Sequence, residues 1–378
     1  MAGLAQTPLI RLSKSCVGQA EKRAVLGVLD REYLGMGAEV QQFEQALSDF
    51  FGRPAVCVVN GTAALQLALQ AVGIGPGDEV LVQSLTYVAS FQAISAMGAT
   101  PVACDVMPDT LTLDWRDAEQ RLTPRTRAVM PIHYAGGVGD LEAIYAFADR
   151  HGLRVIEDAA HAFGTLYQGQ RVGRFGDIAC FSFDGIKNIT SGEGGCIVSN
   201  DNEILRRIRD ARLLGVEKDS DNRFAGARTW EFDVIAQGWR YHMSNIMAAI
   251  GIEQLARFPA FSARRRDLAR HYDQGLAEVN AVIPLEHDYA LVVPHIYVVR
   301  LAGGIDRQRL RERLSASGIQ TGIHYQPNHR LSLYRATDRP RPVTDALYPT
   351  LLTLPLHPDL DDGDVARVCD ALRRECPQ

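Results

Sequence analysis

Residues 180–195 read CFSFDGIKNITSGEGG, with Lys187 near the middle. An apolar, strand-like run, ACFSF at 179–183, comes before the lysine, and a glycine-rich turn, SGEGG at 191–195, follows it. Surface lysines are seldom placed between a buried strand and such a turn. Desolvation lowers the pKa of an amine held in a pocket, and the neutral amine can form a Schiff base with a carbonyl. Gly192, Gly194 and Gly195 let the backbone turn beside that amine without carrying side chains into the site.

Outward from this stretch, strand and helix signals alternate. DEVLVQSL (78–85), TPVACDV (100–106), RAVMPIHY (127–134) and RVIEDAA (154–160) read as strands, while YVASFQAISAMG (87–98) and DLEAIYAFADRHG (140–152) read as helices. Apolar runs separated by helical segments predict βα units, hence an α/β fold with a mainly parallel sheet covered on both faces. Ligands of such sheets sit at the carboxyl ends of strands, which places Tyr87, Asp158, His161 and Lys187 near one another. At 56–69, VCVVNGTAALQLAL, a strand meets Asn-Gly-Thr and then a helix. The free N–H groups of that helix start, with the Thr62 hydroxyl, suit a phosphate; equally, Asn60 and Thr62 can simply cap the helix.

The flanking regions complete the organisation. Residues 17–29 and 39–51 show helical spacing, and DNEILRRIRDARLLG (201–215) reads as a helix capped by Asp201. VEKDSDNRFAGARTWEFDV (216–234) is polar and loop-like, followed by a separate long helix over about 260–279. A smaller C-terminal α+β domain is expected over 251–378, after a large domain over 1–250, with strands at IYVVRL and QTGIHY and a terminal helix at DDGDVARVCDALRREC. The chain has 378 residues, a formal net charge of -5 and no basic surplus, so neither nucleic acid nor an anionic membrane is an expected partner. Seven scattered cysteines without a CxxC pair argue against a disulfide framework or a zinc site and fit a reducing, cytoplasmic compartment. GGVGDLE (136–142) has Glu142 where a dinucleotide motif needs its third glycine, and no GxxxxGK[ST] loop occurs.

An acidic residue ending a buried strand, as Asp158 does, is costly unless something requires it. It can cap the next helix, or it can hold the proton on the pyridine nitrogen of pyridoxal 5'-phosphate so that the ring serves as an electron sink. Paired with Lys187, the second reading is the stronger. Ser182 and Asn188 can offer groups to a phosphate, Tyr87 can lie against a flat ring, and Ala160 can cover its other face. His161 is suited either to orienting its neighbours or to direct participation. His324, Tyr325 and His329, in TGIHYQPNH, form a polar aromatic cluster suited to a substrate.

With these residues in place the chain resembles the DegT/DnrJ/EryC1/StrS family of nucleotide-sugar aminotransferases. The resemblance runs through GAEVQQFEQAL, NGTAALQLAL, TYVASFQAISAMGATPV, TPRTRAVMPIHYAGG, VIEDAAHAFG, FSFDGIKNITSGEGG, YHMSNIMAAIGIEQL, HYQPNH and LPLHP. It implies an aspartate aminotransferase-like (fold type I) architecture with a seven-stranded large-domain sheet. It also implies a homodimer with shared active sites, and transfer of an amino group from L-glutamate to a nucleotide-linked keto-sugar. By the same resemblance Lys187 is the Schiff-base lysine, Asp158 the ring-nitrogen partner, Thr62, Ala63 and Ser182 phosphate ligands, and Tyr87 and Ala160 the ring-facing residues. Three departures stand out. The segment GWRYH (238–242) replaces a GYNYR-like one, leaving Arg240 or His242 for the partner-subunit phosphate contact. Asp184 stands where many members carry His or Tyr and so faces the sugar, and residues 217–233 look inserted. KNITSGEGG is more similar to members that aminate C4 of 4-keto sugars. A 3-keto-sugar aminotransferase, a sugar dehydratase and a non-catalytic cofactor-binding regulator are the alternatives.

Overall fold

The computed structural model describes residues 8–227, 230–335 and 339–376. Its central sheet contains β1 (Ala55–Val58), β2 (Glu79–Gln83), β3 (Thr100–Cys104), β4 (Thr126–Met130) and β5 (Arg154–Asp158). A small hairpin of β6 (Leu166–Tyr167) and β7 (Gln170–Arg171) follows, and β8 (Ile178–Ser182) and β9 (Gly195–Ser199) complete the sheet. The order is β1-β9-β8-β5-β4-β2-β3. All neighbouring pairs are parallel except those made by β9, which runs antiparallel to both β1 and β8. The reversal follows from the local sequence. The connection from β8 to β9, which carries Lys187, contains no helix to make a crossover, so the strand can only return alongside.

Helices cover both faces. Gly61–Ala71, Val88–Ala96 and Asn202–Ala211 bury their apolar sides on one, and Ala38–Phe51 and Leu141–His151 do so on the other. Asp201 caps its helix as its sequence position suggests, accepting from the N–H groups of Glu203 (3.0 Å) and Ile204 (3.2 Å). A second, antiparallel sheet joins β10 (Val282–Pro284), β11 (Tyr297–Leu301) and β12 (Leu351–Leu354). It packs with the helix Asp362–Glu375 around Leu268, Tyr272, Tyr297 and Leu314.

Three local expectations give way. Residues 245–276 form one 32-residue helix that runs through Pro259, in place of a separate helix over about 260–279. Phe258 on one side of the proline and Phe261, Leu268 and Tyr272 on the other are all buried, and this packing outweighs the lost backbone bond. Segment 216–234 includes a short helix, Asp219–Phe224, held by an Arg223–Asp219 pair at 2.8 Å and by Ser220 beneath Arg212. QTGIHY makes only a single bridge, Gly322 to Thr353; the strand is instead β12, whose residues are fully buried.

Candidate active site

A cavity of about 440 Å³ opens at the carboxyl ends of β5 and β8, beside the first turn of the helix Gly61–Ala71. It is lined by Thr62, Tyr87, Asp158, Ala160, His161, Ser182, Asp184, Lys187, His324 and Tyr325, all read from the sequence as site residues. It also exposes Asn60, Gly61, Glu193 and Cys180.

Lys187 is presented by a turn in which its N–H donates to the Asp184 carbonyl at 3.0 Å, while the Asp184 carboxylate accepts from Ile186 N–H at 3.2 Å. Asp184 thus shapes the lysine loop as well as facing the cavity. Burial lowers the Lys187 amine to about 8, opposed by the Asp158 and Asp184 carboxylates and reinforced by the Arg265 guanidinium. Nζ lies 3.4 Å from His295 Nε2.

The Asp158 carboxyl is 7% exposed and accepts from Ser90 Oγ at 2.8 Å and from Ala160 N–H at 3.2 Å. Burial pushes its pKa up; those two donors, together with Lys187 and His133, pull it down. Among the described residues no cation is within ion-pair distance of it, so a buried carboxylate lines the cavity with Lys187 and His133 as its more distant positive neighbours. A protonated ring nitrogen would suit it as a charge partner.

At the opposite end, Asn60 Oδ1 accepts from Ala63 N–H at 2.8 Å, which leaves the Gly61 and Thr62 N–H groups as first-turn donors without an intrahelical acceptor. A Cβ on Gly61 would stand 2.8 Å from Ser182 Cβ, so only glycine keeps this corner open. The helix dipole favours an anion at the same point. Tyr87, 59% exposed, stands at the cavity with its ring 5.5 Å from that of Tyr325. Tyr325 Oη and His161 Nε2 lie 3.0 Å apart, and the His161 ring packs 4.4 Å from the His295 ring. A nucleophilic amine, a buried carboxylate, an anion corner and an exposed aromatic face form a set that fits pyridoxal phosphate.

Five expected residues lie outside the cavity. Ala63 gives its N–H to Asn60, and Asn188 donates to the carbonyls of Phe163 (3.2 Å) and Val293 (3.3 Å), tying the lysine loop to the body. His329 bonds Ser84 Oγ at 2.7 Å and Asp345 at 3.1 Å. Arg240 is exposed on the outer surface, and His242 is half-buried outside the cavity. Ser90 and His295 escaped sequence reading. Ser90 follows Tyr87 by one helical turn, a spacing that could have flagged it. His295 sits in an unremarkable Pro-His step before β11.

The DegT/DnrJ/EryC1/StrS aminotransferase family profile matches residues 15–373. The PLP-form of Spr1654 from Streptococcus pneumoniae is similar at 29% identity over 97% of this chain and 98% of that one, with a TM-score of 0.90. The aminotransferase TlmJ from Streptoalloteichus hindustanus shares 35% identity over 97% and 98%, also with a TM-score of 0.90. DesI, solved in the presence of its TDP-sugar product, shares 32% identity over 97% and 93%, with a TM-score of 0.87.

Proposed function

The chain belongs to the DegT/DnrJ/EryC1/StrS aminotransferase family, and from that membership we propose that it carries an amino group from L-glutamate to C4 of a nucleotide-linked 4-keto sugar. It is a sugar aminotransferase that uses pyridoxal phosphate. The observation that carries the reading is the presence of Lys187 and the buried Asp158 in one cavity. Lysine at 187 favours transamination over dehydration, and the resemblance of KNITSGEGG to C4-aminating members favours C4 over C3.

Bound pyridoxal phosphate supplies an aldehyde that captures amines and a ring that takes up electrons from the adjacent carbon. Lys187 would hold the group through its amine and, when free, would serve as the base for the donor's Cα proton and then as the acid that returns it. With the keto-sugar the same amine would serve in the reverse order. The lowered pKa suits this, because one side chain must serve as base and then as acid. Asp158, fixed by Ser90 and Ala160, would hold the proton on the ring nitrogen. Gly61, Thr62 and Ser182 would hold the phosphate, and Tyr87 and Ala160 would face the ring. Tyr325 orients His161 at the ring's edge, while Asp184 and His324 face the sugar.

We place the cofactor machinery in residues 1–250 and a smaller substrate-closing part in 251–378. A homodimer is supported by the outward-facing apolar residues Trp230 (83% exposed) and Ile235 (75%), close in sequence to Arg240, which is free to reach a partner's phosphate. Seven unpaired, buried cysteines fit a cytoplasmic setting.

The test is a mass-spectrometric screen of UDP-, dTDP- and GDP-linked 3-keto and 4-keto sugars with glutamate. An amino-sugar from a 4-keto substrate supports the assignment. Amination of only the 3-keto series would refute the C4 position, and ammonia release with loss of a hydroxyl would reveal a dehydratase.

A further inference from the structure

Lys187 does not end in open cavity. Its Nζ meets the Nε2 of His295 at 3.4 Å, and His295 is 3% exposed. The backbone of His295 is tied on both sides: its N–H donates to the Ala135 carbonyl at 3.3 Å, and its carbonyl accepts from Arg265 at 3.1 Å. The ring packs 4.4 Å from that of His161, so it cannot turn away without disturbing a second cavity residue. Among the described residues its Nδ1 has no partner, which leaves Nε2 as the nitrogen through which the ring meets Lys187.

We propose that His295 is a positioning residue, the acceptor that receives the Lys187 amine whenever it is not bonded to the cofactor. The inference rests on the reading of Lys187 as the cofactor-bonding lysine. A displaced lysine is a flexible four-carbon chain that must stay beside the carbons between which it moves a proton. An ammonium has three donors and no acceptor, so it needs a lone pair to hold it. The groups facing the Lys187–His295 contact are Asp158, Asp184, Arg265, His161 and His324. Burial, helped by the Lys187, His161, Arg265 and His324 side chains, keeps the His295 imidazole neutral and its acceptor available. The carboxylates of Asp158 and Asp184 attract the ammonium but belong to the ring nitrogen and to the loop turn, and His295 gives the amine a place of its own.

The chain has only four lysines, Lys14, Lys22, Lys187 and Lys218, so ε-carbon NMR of lysine-labelled, cofactor-free protein can follow Lys187 against three internal controls. His295→Phe keeps ring volume and removes the acceptor; the Lys187 midpoint should fall by about one pH unit, since the ammonium loses its hydrogen-bond partner. His295→Gln retains an acceptor and should restore most of the shift. An unmoved midpoint in His295→Phe, or equal shifts in both variants, overturns the proposal. A second reading needs no change at 295. In Lys187→Met the nitrogen shift of His295 Nε2 should move, and its constancy is equally contrary. An unmoved Lys187 titration in a His295→Phe protein that still takes up cofactor would end the role of His295 and leave the transferase reading intact. If Lys187→Ala kept the lysine-linked absorbance, the transferase reading itself would fail.

Discussion

Cofactor-free protein should capture pyridoxal phosphate at a rate that climbs with pH and levels off above about 8, the value to which burial lowers Lys187 from an ordinary 10.5. Only the neutral amine attacks an aldehyde, and raising the pH removes the proton, so the rate follows the amine fraction. At pH 7 that fraction is about 9%, against about 0.03% for an unshifted lysine, a factor of roughly 300. The depression has opposing contributions, which makes its sign testable residue by residue. Asp184 raises the Lys187 pKa, so Asp184→Asn, which can still accept from Ile186 N–H, should move the plateau to lower pH. The assay is stopped-flow absorbance from pH 6 to 10, with pyridoxal as a control for titration of the phosphate. A rate constant that keeps rising to pH 10 without a break, or a plateau shifted upward in Asp184→Asn, would refute the reasoning.

Three further outcomes follow from contacts around the site and beneath it. Gly61→Ala puts a methyl 2.8 Å from Ser182 Cβ and should weaken cofactor affinity at least about 10-fold, or about 1.4 kcal/mol, by equilibrium titration; native affinity would remove the phosphate role of this corner. Ser90→Ala takes away a hydrogen bond that lowers the Asp158 pKa. That pKa should rise further, and cofactor affinity should be lost at higher pH than in the native protein as pH falls; superimposable affinity–pH curves would contradict this. Arg212→Met leaves Glu44 buried without the guanidinium that now bridges it to the Cys57 carbonyl, and should cost about 3–5 kcal/mol in chemical denaturation. Adding Glu44→Gln to that variant should recover part of the loss.

Much of the site was legible because its residues stand at ends of elements. Asp158 closes β5, Tyr87 caps the helix Val88–Ala96 and Lys187 follows β8, so strand periodicity and the rule of carboxyl-end sites bring them together. The reversed β9 was less so, since a glycine-rich turn does not announce which way the next strand runs. The separate helix over 260–279 and the strand at QTGIHY were misread for one reason. A local breaker or a β-branched run carries less free energy than tertiary burial, and burial favours the continuous helix and β12. His295 and the Arg212–Glu44 pair were invisible because their partners lie 108 and 168 residues away. No local pattern encodes such contacts.

The central claim is amine transfer through Lys187, and the most direct measurement is the first half-reaction alone. Pure, cofactor-loaded protein mixed with L-glutamate and no sugar should release one equivalent of 2-oxoglutarate per subunit as the lysine-linked absorbance disappears, and Lys187→Ala should do neither. An unchanged spectrum with no 2-oxoglutarate, in protein that has retained its cofactor, would contradict the account.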